Sequence, residues 1–192
     1  MEPTVKNIHE DLITGCRVND RKAQVQVYKL YYKAMYNTAL RILNDTAEAE
    51  DIMQEAFLEA FKNIETYREE SSFGAWLKRI VINKSIDELR KAKDLVYLDE
   101  AEIEVADKGE DEDFIQVLST KVEEIRKAIH RLPDSYRVIL SLYLLEGYDH
   151  EEIAQILDIS YNLSRTRYSR ARRKLLDYLG AVENGQNMSN MN

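Results

Sequence analysis

The spacing of apolar residues predicts helices along almost the whole chain. In the first half, apolar and aromatic side chains recur at helical intervals over about 28–43, 49–64 and 73–91. In the second half, the same spacing covers about 118–132 and 136–145, and two further helices follow from about residue 152. Six glycines and two prolines in 192 residues leave few turns of the kind that sheets need. The pattern therefore predicts an all-α fold.

The acidic residues divide this helical pattern into two small domains. The net charge is −8, and residues 93–120 account for it because they hold ten Asp or Glu and two Lys. Apolar residues in this segment keep no helical period, which is typical of an extended or disordered linker. We predict a first domain over 18–92, an acidic linker over 93–117, a second domain over 118–180 and a disordered polar tail over 181–192.

The second domain ends in a pattern typical of a helix-turn-helix. Ile153 and Leu157 lie one turn apart on a short helix, and the next helix carries a stripe of packing residues: Ser164, Tyr168, Ala171 and Leu175. Around that stripe lie six basic residues: Arg165, Arg167, Arg170, Arg172, Arg173 and Lys174. Basic side chains on a helix that follows a sharp turn suit binding in the DNA major groove. A solvated basic face is the simpler alternative.

The third predicted helix carries a narrow polar strip between two apolar faces. Its members lie at helical intervals and include one aromatic ring: Trp76, Arg79, Asn83, Asp87 and Arg90. An aromatic ring, an amide and cationic side chains together are suited to binding unstacked nucleic-acid bases. A core tryptophan beside a solvated ladder of ion pairs explains the periodicity slightly better. Both interpretations stay open from the residues alone.

The second predicted helix presents acidic residues beside apolar ones near its start. Asp51, Gln54 and Glu55 alternate with Ile52 and Phe57. Acidic residues in a first helical turn are favoured by the helix dipole. An acidic surface with exposed apolar neighbours also suits docking on a basic partner protein. The sequence fits both explanations.

The chain offers no constellation of residues for catalysis, a metal ion or another cofactor. Its three histidines are scattered, and we find neither a Gly-rich phosphate loop nor a nucleophile motif. Cys16 is the single cysteine, which excludes an internal disulfide and suits a reducing cytoplasm. No apolar run is long enough to span a bilayer, and the N-terminus lacks signal-peptide features. We expect a cytoplasmic protein that is not an enzyme and does not insert into a membrane.

Four motifs together resemble bacterial RNA polymerase sigma factors, in the ECF (extracytoplasmic function) group of the sigma-70 family. They are Asp51-Ile-Met-Gln-Glu-Ala-Phe57, the stretch from Trp76 to Arg90, Leu132-Pro-Asp-Ser-Tyr-Arg137, and the helix-turn-helix. The resemblance covers about 21–179, with the motifs in the family's order. The residues that follow Trp76 and Tyr148 are similar to those found in the Bacteroidetes branch of the family.

The resemblance implies roles for the first domain, which corresponds to region 2 of the family. It implies that core RNA polymerase, through its clamp helices, contacts Asp51, Ile52, Gln54, Glu55 and Phe57. It implies that the strip recognises and melts the −10 promoter element through Trp76, Arg79, Asn83, Asp87 and Arg90. The loop over 65–72 would help to hold a flipped base. The resemblance thus favours the nucleic-acid interpretation of the strip.

The resemblance also implies roles for the second domain, region 4, and for the linker. Region 4 would lie on the polymerase flap and contact the −35 element through Asn162, Leu163, Ser164, Arg165, Arg167, Arg170, Arg173 and Lys174. The acidic linker would thread the active-site cleft and RNA exit path, because a channel that holds RNA is positively lined. The implied partners are core RNA polymerase, promoter DNA and an anti-sigma factor or other regulatory protein.

Three positions in the helix-turn-helix depart from the family's usual pattern. Asp158 stands where the turn usually has Gly, and we predict that the turn survives because Asp tolerates the left-handed conformation. Leu163 replaces a usual Thr, so a hydroxyl–phosphate bond is lost, although leucine suits contact with a thymine methyl. Ser164 replaces a usually apolar residue. The alternatives are a protein-interaction module whose basic helix binds a partner and, third, a plain helix-turn-helix repressor.

Overall fold

The computed structural model describes residues 9–93 and 122–189, with side chains described over 9–91 and 124–180. All regular structure within these ranges is helical, which confirms the all-α prediction. The chain forms two compact units that meet in sequence between Leu95 and Val96. Residues 94–121 lie outside the described residues, and they include most of the predicted acidic linker and the predicted start of the second domain.

The first unit is a helical bundle whose described elements are α1 (Glu10–Arg17), α2 (Arg21–Leu43), α3 (Thr46–Lys62), a 3₁₀ turn (Ile64–Thr66) and α4 (Phe73–Lys93). Helices α2, α3 and α4 pack on one another, and α1 packs on α2. Asn44 ends α2 in the left-handed conformation, and the Asp45 side chain starts α3 by accepting hydrogen bonds from two backbone N–H groups. The core consists mainly of apolar side chains from these three helices, including Val27, Met35, Ile42, Met53, Phe57, Leu77, Val81 and Ile86.

Helix α1 precedes Val18, where the first domain was predicted to start. It buries Ile13 and Cys16, and burial together with the charge of Asp20 raises the pKa of the Cys16 thiol. A Cβ on Gly15 would lie 2.6 Å from Cβ of Ala23, so glycine is what lets α1 approach α2 this closely. Two buried side chains in a short helix give too weak a periodic signal for sequence analysis to find.

The second unit contains α5 (Val122–His130), α6 (Asp134–Leu140), α7 (His150–Leu157) and α8 (Tyr161–Ser189). Helix α6 continues as a π-helical turn over Ser141–Leu145. Its buried residues, Val138, Ile139, Leu140 and Leu142, belong to the core of this unit and lie within the segment 136–145 that was predicted to be helical. Gly147 follows in the left-handed conformation with φ 80°, which glycine adopts without strain.

The end of α8 differs from the predicted disordered tail. Residues 181–189 are helical backbone in the structure, whereas residues 190–192 lie outside the described range. The stretch after 180 is rich in polar residues and contains a glycine, features that sequence analysis associates with disorder. An unbroken helix that starts from a packed N-terminal half can continue through such residues because each added residue completes one more backbone hydrogen bond.

Candidate nucleic-acid and partner interfaces

The polar strip lies along an accessible face of α4. Ser72 starts the helix, since its Oγ accepts a hydrogen bond from the backbone N–H of Ala75 (3.2 Å). The core side of α4 buries Phe73, Leu77, Val81, Ile82, Ile86 and Leu89. Asn83 and Asp87 are exposed, and the remaining strip residues, Trp76, Arg79 and Arg90, are half-buried. The predicted strip residues are therefore all reachable from solvent on one helix.

One end of the strip contains an ion pair of the kind that the simpler interpretation predicted. Nη1 of Arg90 lies 3.5 Å from Oδ1 of Asp87, and both side chains are substantially exposed. Exposed pairs of this type contribute little to stability, typically below about 1 kcal/mol. Because the contact is this weak, the pair does not decide between the two interpretations of the strip.

The other end of the strip rests on an aromatic wall formed by Tyr67, Phe73 and Trp76. The Trp76 ring centroid lies 5.4 Å from that of Tyr67 and 5.5 Å from that of Phe73. Tyr31 meets Phe73 from α2 at 5.5 Å; burial and the neighbouring Tyr67 raise the pKa of Tyr31. Gly74 admits this ring, because a Cβ there would lie 2.9 Å from Cε1 of Tyr31. Trp76 is thus backed by packed rings, with part of its own surface accessible.

The structure divides the predicted partner-binding residues of α3 into two groups. Asp51, Gln54 and Glu55 are exposed, whereas Ile52 and Phe57 are only 6% and 3% exposed and belong to the core. Leu58, which no sequence pattern singled out, is 70% exposed. It lies seven residues after Asp51, so helical spacing puts both on one side of α3. An acidic face with one exposed leucine is the surface that α3 presents.

Lys84 joins the acidic side of α3 to the strip-bearing helix α4. Its Nζ lies 3.3 Å from Oε2 of Glu55 and 3.1 Å from Oε2 of Glu59. Partial burial lowers the pKa of Lys84, but hydrogen bonds and charge from Glu59 and Glu55 outweigh it, and the pKa is raised overall. Lys84, the residue after Asn83, therefore holds this part of α4 against α3.

The helix-turn-helix forms as predicted. Asp149 starts α7 with a capping box, in which the side chain of Glu152 in turn accepts from the Asp149 backbone N–H. Asp158 ends α7 in the left-handed conformation with φ 53° and ψ 52°. Ser160 then caps α8, since its Oγ accepts a hydrogen bond from the Leu163 backbone N–H (3.1 Å). Ile153 and Leu157 are buried against the rest of this unit, as their spacing predicted.

Helix α8 confirms the packing stripe and changes the set of residues available to DNA. Tyr168, Ala171 and Leu175 are buried. Ser164 is fully buried, and Arg167 is 2% exposed, so the structure places both of these predicted DNA contacts inside the unit. The predicted contacts that remain accessible are Asn162, Leu163, Arg165, Arg170, Arg173 and Lys174. Arg167 lies only three residues after Ser164, and helical spacing therefore turns it towards the same interior.

A cluster of side chains near the turn includes His150, for which no role was predicted from the sequence. Nδ1 of His150 lies 3.0 Å from Oγ of Ser164, which joins the start of α7 to the start of α8. The His150 ring stacks on Tyr143 at 4.8 Å and meets Tyr168 edge-on at 5.3 Å. No motif could have revealed this pairing, because only folding brings these residues together.

Comparison with known proteins decides the family. Residues 27–94 match sigma-70 region 2, and residues 122–175 match sigma-70 region 4. The ECF RNA polymerase sigma factor SigW of Bacillus subtilis is 35% identical over 174 residues, which cover 85% of this chain and 92% of SigW. The chain belongs to the ECF group of the sigma-70 family. It is a sigma factor, which directs RNA polymerase to promoters.

Other relatives agree with this assignment. The B. subtilis RNA polymerase sigma factor SigV is 31% identical, over 71% of this sigma factor and 78% of SigV. Two solved structures share the fold. The sigma factor RpoE of Bartonella quintana, in complex with the anti-sigma factor NepR, gives a TM-score of 0.53 at 24% identity, over 81% of this chain and 95% of RpoE. CnrH, in complex with the cytosolic domain of CnrY, gives a TM-score of 0.52 at 22% identity. This match covers 88% of this chain and 96% of CnrH.

The family assignment bears on the alternatives. It does not favour a general protein-interaction module, because both regions 2 and 4 of a sigma factor are matched in order.

In the described part of this sigma factor, none of the helices combines the length and the apolar character needed to cross a bilayer.

Proposed function

We propose that this sigma factor recognises and opens the −10 element with the accessible face of α4. The observation that carries the proposal is the strip itself. Trp76 stands on a packed aromatic wall at one end, and the exposed amide of Asn83 lies two turns further along the same helix. A rigid ring can stack on an unpaired base, while Asn83 bonds to base edges and Arg79 and Arg90 face phosphates.

The acidic face of α3 is the proposed contact with the clamp helices of core RNA polymerase. Asp51, Gln54 and Glu55 supply polar groups, and Leu58 supplies an apolar anchor among them. Ile52 and Phe57 act indirectly, because they hold α3 on the core. An exposed leucine within a charged rim is the arrangement that binding surfaces between proteins commonly use.

The outer face of α8 is the proposed reader of the −35 element. Arg165, Arg170, Arg173 and Lys174 would neutralise phosphates, while Asn162 and Leu163 at the start of the helix would reach base edges. Ser164 acts differently, since its bond to His150 fixes the start of α8. Arg167 contributes to the interior of the unit.

The remaining parts of the proposal concern partners and setting. The protein acts in the cytoplasm as an initiation factor with no catalytic activity of its own, and polymerase supplies the chemistry. An anti-sigma factor is its proposed regulator, in line with the complex that the sigma factor RpoE forms with the anti-sigma factor NepR. The acidic linker over 93–117 would enter the positively lined channel of the polymerase.

Promoter melting tests the proposed role of α4. We expect Asn83→Ala to reduce opening of the −10 element by roughly tenfold, the scale for losing contacts to one base, with little change in core binding. Permanganate reactivity of unpaired thymines measures the opening. Asn37→Ala, at an exposed position on α2, is the matched control and should leave opening unchanged. Equal melting by wild type and Asn83→Ala would show that the strip does not read the −10 element.

A further inference from the structure

Helix α1 ends with an arginine that reaches the loop in front of α4. Nη2 of Arg17 donates to the carbonyl oxygen of Tyr67 (3.2 Å) and to Oε1 of Glu69 (3.0 Å). These bonds join α1 to the loop beside Trp76. Helix α1 precedes the part of the chain that matches region 2. One guanidinium group therefore fixes both a backbone group and a side chain of that loop.

The loop has a conformation that needs such support. Glu69 has φ 62°, in the left-handed region that is unfavourable for residues other than glycine. On the other side, the hydroxyl of the buried Tyr67 donates to the carbonyl oxygen of Ser71 (2.7 Å). The turn over 67–71 is thus held at both sides, by Arg17 and by Tyr67.

Helix α1 presents Arg17 from a fixed position. The close approach of Gly15 to Ala23 brings α1 onto α2, and Ile13 and Cys16 are buried beneath it. Because the helix cannot shift without opening this packing, the guanidinium group restrains the loop rather than following it.

We propose that Arg17 is a positioning residue for −10 recognition, and that α1 belongs to the promoter-reading unit. This inference rests on the proposed function and on the role that the resemblance to the family implies for the loop over 65–72, which is to hold a base flipped out of the −10 element. Arg17 touches no base. It fixes the backbone at Tyr67 and the turn at Glu69, so that the loop and Trp76 keep the shape of the base-binding surface. Its loss relaxes the base preference at one position, while other −10 positions keep their preferences.

The test is transcription by holoenzyme from a promoter pool that is randomised across the −10 element, with start sites and base preferences read by sequencing. We expect Arg17→Ala to relax the preference at one −10 position by roughly three- to tenfold, the scale for losing a partly exposed charge-assisted hydrogen bond. Arg17→Lys should be intermediate, because a lysine can pair with Glu69 but cannot donate to both groups in the same geometry.

Two further variants keep the outcome interpretable. Glu69→Gln leaves α1 intact and should relax the same position more weakly, so it decides the matter if Arg17→Ala fails to fold. Lys22→Ala, at an exposed position near the start of α2, is the control and should match wild type. An unchanged preference profile in both Arg17→Ala and Glu69→Gln, with normal core binding, overturns the inference. Absence of protein-dependent start sites with the wild type would instead overturn the proposed function.

Discussion

At the scale of single residues, Asp158 shows how a departure from a family pattern is accommodated. Its backbone takes the left-handed conformation, with φ 53°, that the turn requires. A non-glycine residue there costs about 1–2 kcal/mol on average, and Asp is among the residues that tolerate it best. The turn therefore forms without glycine, at a cost in stability.

Substitution of Asp158 should reveal that cost. We expect Asp158→Gly to leave the free energy of unfolding unchanged or raise it by up to about 1 kcal/mol, since glycine adopts positive φ without strain. Asp158→Val should lower it by more than about 1 kcal/mol, because a β-branched side chain is excluded from this region. Denaturant unfolding of the whole chain measures both. Equal stability of the two variants would contradict this account of the turn.

Lys84 gives a second prediction at this scale. We expect Lys84→Met to lower the free energy of unfolding by about 1 kcal/mol at pH 7, because it removes the pairing with Glu55 and Glu59, whose carboxylates are partly screened by solvent. Since the pKa of Lys84 is raised by folding, its contribution is complete below the ordinary lysine pKa of about 10.4. It is lost as the pH rises through the higher folded value.

The pH dependence of unfolding tests this assignment. The difference between wild type and Lys84→Met, measured by denaturant titration, should shrink above about pH 10.5. Lys91→Met is the matched control. The Lys91 side chain is 73% exposed, and its Nζ lies 3.5 Å from Oε2 of Glu88. Loss of this exposed pair should change the free energy of unfolding little at any pH. A difference of the same size at pH 7 and pH 11 would show that packing, and not charge, explains the effect.

At the scale of elements, α8 carries a buried arginine, Arg167, and accessible arginines that are proposed to face DNA. We expect Arg170→Ala to weaken binding of the holoenzyme to all promoter sequences by a similar factor, because a phosphate contact carries no sequence information. Arg167→Ala should instead lower the free energy of unfolding, since its side chain is buried. Equilibrium promoter binding and thermal unfolding, measured on both variants, distinguish the roles. Sequence-dependent loss with Arg170→Ala would mean that it contacts bases.

Helix α3 carries the corresponding prediction for polymerase binding. Leu58→Asp should weaken the affinity for core RNA polymerase by roughly tenfold or more, because it places a charge where an apolar anchor is proposed. The matched control is Leu30→Asp on α2, which also replaces an exposed leucine. Titration with labelled core enzyme measures both, and equal effects of the two substitutions would remove α3 from the proposed interface.

At the scale of the whole molecule, the distribution of charge matters more than its sum. The protein carries −8 overall, yet α8 holds a local run of cations. Each phosphate contact contributes a slope of about −0.9 in log affinity against log salt concentration. We expect a variant with alanine at Arg165, Arg170, Arg173 and Lys174 to flatten this slope for holoenzyme by about 3 to 4. An unchanged slope would favour a protein partner for this helix.

Much of the architecture could be predicted because its signals are local. Helical spacing identified the core side of α4, the packing stripe of α8 and the buried run of α6. Capping residues such as Asp45 and turn residues such as Gly147 act on their own neighbours. The motifs from Asp51 to the helix-turn-helix identified the family, and the matches to regions 2 and 4 confirm it. The similarity to the Bacteroidetes branch stays a prediction.

The sequence by itself determined the helices from α2 onwards, the two-unit plan and the family, since these depend on periodicity and on contiguous motifs. Only the tertiary structure decided which residues of each motif are accessible. Ile52, Phe57, Ser164 and Arg167 lie in motifs for which binding roles are proposed, yet packing against neighbouring helices buries them. Likewise, the bonds from Arg17 to Tyr67 and from His150 to Ser164 join residues distant in sequence. Burial and long-range bonding depend on how helices meet, which no local pattern encodes.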